Sequence, residues 1–562
     1  MNAAELLVRC LEAEGVRHVF GVPGEENEEL LFALEPSSIQ FVATRHEQGA
    51  AFMANVWGRL TGEAGVCLAT LGPGATNLLT GVADAQLDKA PLVAITAQGA
   101  LGRLHHESHQ AIDIVGMFQP VTKWNASITT PGTVAEMVRK AFKVAEAEKP
   151  GATHLELPED VASSEVTDTQ RDEPLQQSTV RRPASDYKAL AAALTRLRAA
   201  KRPLVIAGNG AIRKLASKHL TELVTTHDIP VVATFMGKGA VSDALPQSLM
   251  AMGLGFRDYV NEAIDAADLL ITVGYDIAEL PPQRFNKSGN KPIVHIDFTS
   301  AEVYTHYEVA VEVVGDISSA LWEMTRKLAK SGLTNERGWW HPIREKILAD
   351  IAREQRSESS EPTIPAALCV LREVLPHHGV VISDVGSHKL WIARNFPAYQ
   401  PGTVLISNGF ASMGIALPGA IAASLQDPAR PVVAVMGDGG FLMNVQELET
   451  AKRLGLSFVA LVLNDDDYGL ISWKQRQHRK RSVSTRIGNP DFPALASAFG
   501  VRGARASTMG ELRALLEQAL RERGIWLIEV PVDPSVNDQL ATRLADSVQP
   551  APDSGTPSKE QP

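Results

Sequence analysis

Residues 431–473 read PVVAVMGDGGFLMNVQELETAKRLGLSFVALVLNDDDYGLISW, and this stretch constrains the chain more than any other. Residues 432–436 are a short, wholly apolar run, the pattern of a parallel strand buried on both faces. The run ends in Gly437-Asp438-Gly439-Gly440. A helical pattern follows, with Leu442, Val445, Leu448 and Ala451 at spacings of three, and Gly455 stops it. Residues 458–463 form a second apolar strand, which ends in Asn464-Asp465-Asp466-Asp467-Tyr468-Gly469. The unit is strand–helix–strand, with polar groups at the carboxyl ends of both strands, where open α/β sheets bind ligands. Glycines let a backbone approach a diphosphate closely, and a helix N-terminus favours its anionic oxygens. Asp438 and Asp465 supply hard oxygens, which suit a Mg2+ ion that keeps phosphate oxygens among its ligands.

Apolar strands alternate with helical patterns along the rest of the chain, which predicts α/β domains with parallel sheets. Strands are expected near residues 19–21, 41–44, 66–70 and 92–96, then at 203–207, 230–234, 269–273 and 292–297, and again at 380–384. A polar, Pro-containing stretch at 168–186 and a charged, Ser-rich one at 352–362 read as linkers. The expected domains are 1–165, 187–345 and 363–540, with a Pro/Ser/Asp-rich disordered tail at 541–562. Three domains fit a length of 562 residues. A net charge of −11 argues against nucleic acid as a partner. No apolar run approaches a membrane span, and the first helix lacks the basic start of a signal peptide. Cys10, Cys67 and Cys369 are scattered, which fits a reducing cytoplasm.

The 431–473 stretch resembles the diphosphate-binding motif of thiamine diphosphate (ThDP) enzymes, in which GDG, a helix and an Asn-Asn pair follow one another. Asp438 and Asn464 stand 26 positions apart, as in that family. Gly21-Val22-Pro23-Gly24, Arg45-His46-Glu47 with the small residues after it, and Gly72-Pro73-Gly74-Ala75-Thr76-Asn77 resemble the family's pyrimidine-binding domain. The resemblance implies three doubly wound parallel-sheet α/β domains: pyrimidine-binding, central and diphosphate-binding. It implies Mg2+ on the side chains of Asp438 and Asp465 and the main-chain oxygen of Asp467. Asp465 departs from the commoner Asn, but a carboxylate is as good a ligand. ThDP would contact Pro23, Glu47, Gly74, Asn77, Gly386, Ser387, His388, Gly437, Gly439, Gly440, Tyr468, Gly469 and Leu470. Glu47 would bond the aminopyrimidine ring, a task suited to a carboxyl whose pKa burial raises. Met413 would wedge beneath the bent cofactor, with the Ala411 carbonyl taking its amino N–H. His46-Glu47 begins an HExxH zinc pattern, but position 50 is Ala, so that reading fails.

His109-Gln110, Phe118 and Pro120-Val121-Thr122-Lys123 resemble the acetolactate synthases of this family. The likeness puts His109, Gln110, Phe118, Lys123, Trp473 and Lys474 around the substrate, with Leu470 and Ile471 of the same helix also facing the acceptor, and Gln110 joining Glu47 and Met413 in catalysis. Residues 275–280 lack the Arg-Phe-Asp-Asp pattern of the FAD-binding members, so the chain resembles the FAD-independent, catabolic type. The implied reaction joins two pyruvates into 2-acetolactate and CO2, at a site between two copies of the chain, so at least a homodimer is required. His105-His106 points instead to pyruvate-type decarboxylases, which release an aldehyde. Another carboligase or lyase, or a non-catalytic ThDP-binding paralogue, stays open beside these.

Overall fold

A computed structural model describes residues 1–166, 172–177, 182–213, 215–253, 259–333, 335–355 and 362–538. The tail expected from residue 541 and part of the linker at 168–186 lie outside these residues. Within them the chain forms three six-stranded sheets, all parallel. The first holds β1 (His18–Gly21), β2 (Gln40–Ala43), β3 (Gly65–Ala69), β4 (Leu92–Gln98), β5 (Trp124–Ser127) and β6 (Ala152–Pro158). The second holds β7 (Pro203–Ala207), β8 (Val231–Ala233), β9 (Ser248–Ala251), β10 (Leu269–Val273), β11 (Ile293–Asp297) and β12 (Val309–Val314). The third holds β13 (Val380–Ser383), β14 (Val404–Ile406), β15 (Val432–Gly437), β16 (Phe458–Asn464), β17 (Arg502–Arg505) and β18 (Ile525–Pro531).

The first and third sheets share one strand order: β2-β1-β3-β4-β6-β5 and β14-β13-β15-β16-β18-β17. Each reverses direction of growth beside its first strand, between β1 and β3 and between β13 and β15. Such a switch point opens a crevice beyond the strand ends. The register of the third sheet pairs Gly437 with Leu463, so Asp438 and Asn464 leave adjacent strands side by side. Helix Glu47–Thr61 of the first domain packs on Ala416–Gln426 of the third and on Pro73–Leu87 of its own domain. Small residues make this contact close. A Cβ on Gly419 would stand 2.9 Å from Val56 across the domains; within the first domain, one on Gly81 would stand 2.5 Å from Ala51. One hydrophobic core therefore runs through both domains, with Phe52, Met53 and Val56 buried beside Ile415, Ala420 and Ile421.

The sequence reading closes the central domain near residue 345, whereas helix His341–Gln355 runs past that position. Trp340, Ile343, Ile347 and Ile351 are buried with Leu249, Val260 and Ile264 of the central domain, while Asp350 of the same helix pairs with Arg394 at 2.6 Å. No helix of the described residues is long and apolar enough to cross a membrane.

The central sheet has the order β12-β11-β10-β7-β8-β9, that of dinucleotide-binding folds, with its switch point between β7 and β10. That crevice is filled by the chain's own charges. The Glu279 carboxylate accepts the Asn209 N–H at 2.9 Å and the Asp276 N–H at 3.1 Å, and takes a close bond from the Thr234 hydroxyl. Lys149 of the first domain lies 3.4 Å from Asp276 and 3.2 Å from Asp297. Burial pushes the Glu279 carboxyl from its ordinary 4.5 up to about 7. The folded chain therefore holds a proton there that the unfolded chain has lost. Stability falls as pH rises through this window and levels off above the folded value. Glu279→Gln mimics the protonated form. Its thermal midpoint, relative to wild type, is expected to be higher at pH 8 than at pH 5. An equal difference at both pH values refutes this account of Glu279.

Candidate active site

At the β13/β15 switch point a cavity of about 100 Å3 opens to solvent. Its walls are the turn after β13 (Val385 to His388), Met413, the turn after β15 (Gly437 to Gly440), and the end of β16 with the next helix start (Asp465, Asp467 to Ile471). Ile364 and Leu463 complete an apolar lining. Glycine is required at two of these points. A Cβ on Gly469 would stand 2.2 Å from Asp465 Oδ2, and one on Gly440 2.7 Å from Asp384 Oδ1.

Asp384, just past β13, ties three segments of the wall together. Its buried carboxylate accepts N–H bonds from Val385 at 2.7 Å, Gly414 at 2.9 Å and Ala416 at 3.1 Å. Burial raises its pKa to about 6, against the pull of those amides. The bonds to Gly414 and Ala416 fix the turn that carries Met413. Ala411 in that turn has φ +58°, a left-handed conformation uncommon outside glycine. Ala411 is not part of the cavity wall. One helix is expected from the spacing of Leu442 to Ala451, but two form, Asp438–Met443 and Glu447–Arg453. Asn444 makes the break: its side-chain N–H donates to the Gly414 carbonyl at 2.8 Å.

Asp438 and Asp465 face the cavity together with Asp467. Burial and then the charges of Asp438 and Asp467 push the Asp465 carboxyl up to about 7. Burial also raises Asp438. Crowded carboxylates of this kind are stabilised by a cation. No cluster of three or more His, Cys, Asp and Glu side chains suited to a metal occurs among the described residues. A metal here would rest on two carboxylate side chains and a main-chain oxygen. Sequence reasoning passed over Asn489. Its side-chain amide donates to Asp438 at 2.6 Å, Asp466 at 2.8 Å and Asn464 at 3.0 Å. The antiparallel bridge Asp467↔Arg486 brings this segment over the strand ends. Two buried polar atoms of the wall have no partner, Asp467 Oδ1 and His388 Nε2. His388 bonds the Asp384 carbonyl, and burial lowers its pKa to about 4. Unpartnered groups at the wall fit a charged ligand with a metal.

A second cluster gathers at the β1/β3 switch point of the first domain. Glu47 opens helix Glu47–Thr61, with His46 as its cap: His46 Nδ1 accepts the Gln48 N–H at 3.0 Å. Glu47 is 8% exposed, and its Oε2 accepts from the Asn77 amide at 2.9 Å. A Cβ on Gly74 would lie 3.4 Å from Glu47 Oε1 and 2.9 Å from Thr70 Cγ2. The Thr70 hydroxyl bonds Glu26 at 2.7 Å, which draws the Pro23 turn to the same edge. Gln110, exposed and with φ +56°, packs its backbone on Gly72. None of these residues lines the cavity of the third domain.

The expected substrate residues do not converge. Phe118 is fully buried and stacks on His154 at 4.1 Å, so it is core rather than pocket wall. Lys123 donates to the carbonyls of Ala147 and Lys149, both at 2.7 Å, just past the end of the later helix Val134–Glu146. Trp473 is 2% exposed and packs into the third domain's core. Its helix is Gly469–Arg479, whose face toward the cavity carries Leu470 and Ile471. Lys474 is exposed on that helix, and His109 is exposed on its loop. His105 and His106 are exposed and bond each other at 3.0 Å.

Residues 1–117 match the N-terminal TPP binding domain of thiamine pyrophosphate enzymes, 190–324 the central domain and 384–530 the C-terminal TPP binding domain. An acetolactate synthase of Bacillus subtilis is 35% identical over 96% of this chain and 95% of its own length. A catabolic acetolactate synthase of Raoultella terrigena is also 35% identical, over 97% of both chains. A chloroplastic acetolactate synthase of Nicotiana tabacum is 33% identical over 94% of this chain and 82% of its own. With two switch-point clusters on sheets of matching order and likeness along its whole length, the chain belongs to the thiamine diphosphate enzymes, among the relatives of the acetolactate synthase large subunits.

Proposed function

We propose that this protein is an acetolactate synthase. It takes two pyruvates and one proton to 2-acetolactate and CO2. The observation that carries the reading is the pair of half-sites. One has Met413 facing Gly437-Asp438-Gly439-Gly440 and Asp465 across a cavity, and the other has Glu47 held by Asn77. ThDP, when bound, supplies a nucleophilic carbon and an electron sink for the departing carboxylate. Gly437, Gly439 and Gly440 would leave room for its diphosphate, and Asp438, Asp465 and the Asp467 carbonyl would hold Mg2+. His388 Nε2 is free to meet the same anion, whose charge favours the imidazolium. Met413, fixed through Asp384, sets the bend. Glu47 Oε2 is engaged by Asn77, which leaves Oε1 to hold and return a proton at the pyrimidine ring. Leu463, Leu470 and Ile471 keep water from the bond-forming step, where water would divert the reaction to an aldehyde.

FAD is not part of this reading. Glu279 takes the Asn209 N–H that would face a phosphate, and Lys149 bridges the acids at the neighbouring strand ends. The compartment proposed is the cytoplasm, where three buried, unpaired cysteines are at home. His105 and His106 lie off both clusters, so nothing favours a decarboxylase over a synthase. The proposed domain boundaries keep helix His341–Gln355 with the central domain.

Purified protein given pyruvate, ThDP and Mg2+, without FAD, is expected to yield acetolactate, read as acetoin after acid treatment. Acetaldehyde as main product, or no turnover with ThDP bound, overturns the assignment. Glu47→Gln is expected to lower kcat by roughly a hundredfold or more while ThDP stays bound. Asp438→Ala is expected to lose Mg2+-dependent ThDP retention.

Because no residue of the Glu47 cluster lines the cavity of the third domain, we propose that each complete site joins the first domain of one copy to the third domain of another. Two inactive variants then complement each other. Glu47→Gln and Asp438→Ala chains, dissociated and reassociated in equal amounts, leave half the dimers mixed and one of two sites intact in each. Activity should return to about a quarter of wild type. Recovery of none refutes the shared site.

A further inference from the structure

Glu447 is wholly buried and lies outside both clusters, in the helix that follows the GDGG turn. Its carboxylate crosses from the third domain to the first. Oε1 accepts the N–H of Arg45 at 3.0 Å and of His46 at 3.1 Å, the two amides just before Glu47. Oε2 accepts the Thr450 hydroxyl at 2.7 Å. A Cβ on Gly49 would stand 2.9 Å from Oε1, so the start of the Glu47 helix lies directly against this carboxylate. The grip extends on either side. Arg453 donates to the Ala43 carbonyl, and Asn444 reaches Gln48 at 3.4 Å while holding the Gly414 carbonyl next to Met413.

Burying a carboxylate to hold neutral amides costs stability compared with apolar packing. Such a group is explained better by the geometry it imposes than by the stability it adds. The two amides it holds set where the first turn of the helix begins, and so where the Glu47 side chain points. Displacement of a reacting group by about 1 Å can cost on the order of a hundredfold in rate.

We propose that Glu447 is a positioning residue for Glu47: through the backbone of Arg45 and His46 it sets the pose of the carboxyl that activates the cofactor. The proposal rests on the reading of Glu47 given above. It also joins the two half-sites of one chain, since the segment that carries Asp438 leads straight into the helix that carries Glu447.

The test compares Glu447→Ala with Glu447→Gln. A glutamine can present its carbonyl to both amides and its NH2 to Thr450, so it keeps the geometry without the charge. Two readouts are used besides turnover. One is amide hydrogen exchange in ligand-free protein over residues 45–50. The other is deuterium exchange at C2 of bound ThDP, which reads cofactor activation with no substrate present. Glu447→Ala is expected to speed amide exchange, to slow C2 exchange and kcat by about tenfold to a hundredfold, and to move KM for pyruvate by less than about threefold. Glu447→Gln should recover most of the loss.

Normal C2 exchange in Glu447→Ala overturns the proposal, and so does equal impairment of the Ala and Gln variants. If the Ala variant fails to fold, Gly49→Ala serves in its place: its methyl presses on Oε1, and unchanged C2 exchange there overturns the proposal too. Glu47→Gln is the control. If it leaves C2 exchange intact, the role of Glu47 fails; if it slows exchange and Glu447→Ala does not, only the role of Glu447 fails.

Discussion

Buried carboxylates that cross between the first and third domains hold the loops on which both half-sites depend. Glu447 runs from the third domain to the amides before Glu47. Asp84 and Asp88 run the other way, from the helix Pro73–Leu87 and its end to the loop before Met413. Asp84 accepts the Ser407 hydroxyl at 2.6 Å, and Asp88 accepts the Gly409 N–H at 2.7 Å with Arg59 at 3.3 Å as its counter-ion. Burial raises both acids, Asp88 to about 7. Apolar packing of the same volume would bind the domains at lower cost. A hydrocarbon contact can slide, whereas a carboxylate that accepts named amides fixes a loop to within the length of a hydrogen bond. Each domain thus sets the shape of a catalytic loop in the other.

This arrangement also explains which parts of the site were legible in the sequence. The Gly437-to-Leu470 wall was readable because its signals are local: an apolar strand, a glycine turn and acids at the strand ends. Glu447 was not, since its partner Arg45 lies 402 positions away. Asp84 and Ser407 are 323 positions apart. Asn489 reaches the acids only through an antiparallel bridge that no periodicity announces. Trp473 failed for another reason. Of the four residues expected to face the acceptor from this helix, Leu470 and Ile471 line the cavity and Trp473 and Lys474 do not, because helical period turns them to other faces. Phe118 and Lys123 belong to the same class, their loop anchored by stacking and by a helix end that a linear alignment does not encode.

The strands follow a similar rule. The apolar inner strands β4, β7, β10, β15 and β16 stand where their runs of Val, Leu and Ile put them. Edge strands β5 and β17 escaped, with sequences WNAS and RGAR, and so did the buried inner strands β6 and β18, while the edge strand β2 was expected. Strands β5 and β17 are held by pairing with β6 and β18, not by an apolar pattern of their own. The doubly wound class is therefore visible from the inner strands alone, while the full width of each sheet is not.

The three sheets divide the work by what fills their switch points. The first and third share a strand order and leave their crevices to polar groups poised for a ligand. The central sheet has the order most associated with nucleotides, yet polar groups at its strand ends are engaged with one another. Asn209 spends its N–H on Glu279, and Lys149 neutralises Asp276 and Asp297. A phosphate entering there would meet acids and would have to displace a lysine already paired. These polar groups turn the central sheet into a brace: the Asn209 side chain bonds the Asp88 carbonyl and Asn408 bonds the Glu279 carbonyl, which holds the loop between the two catalytic domains from a third side.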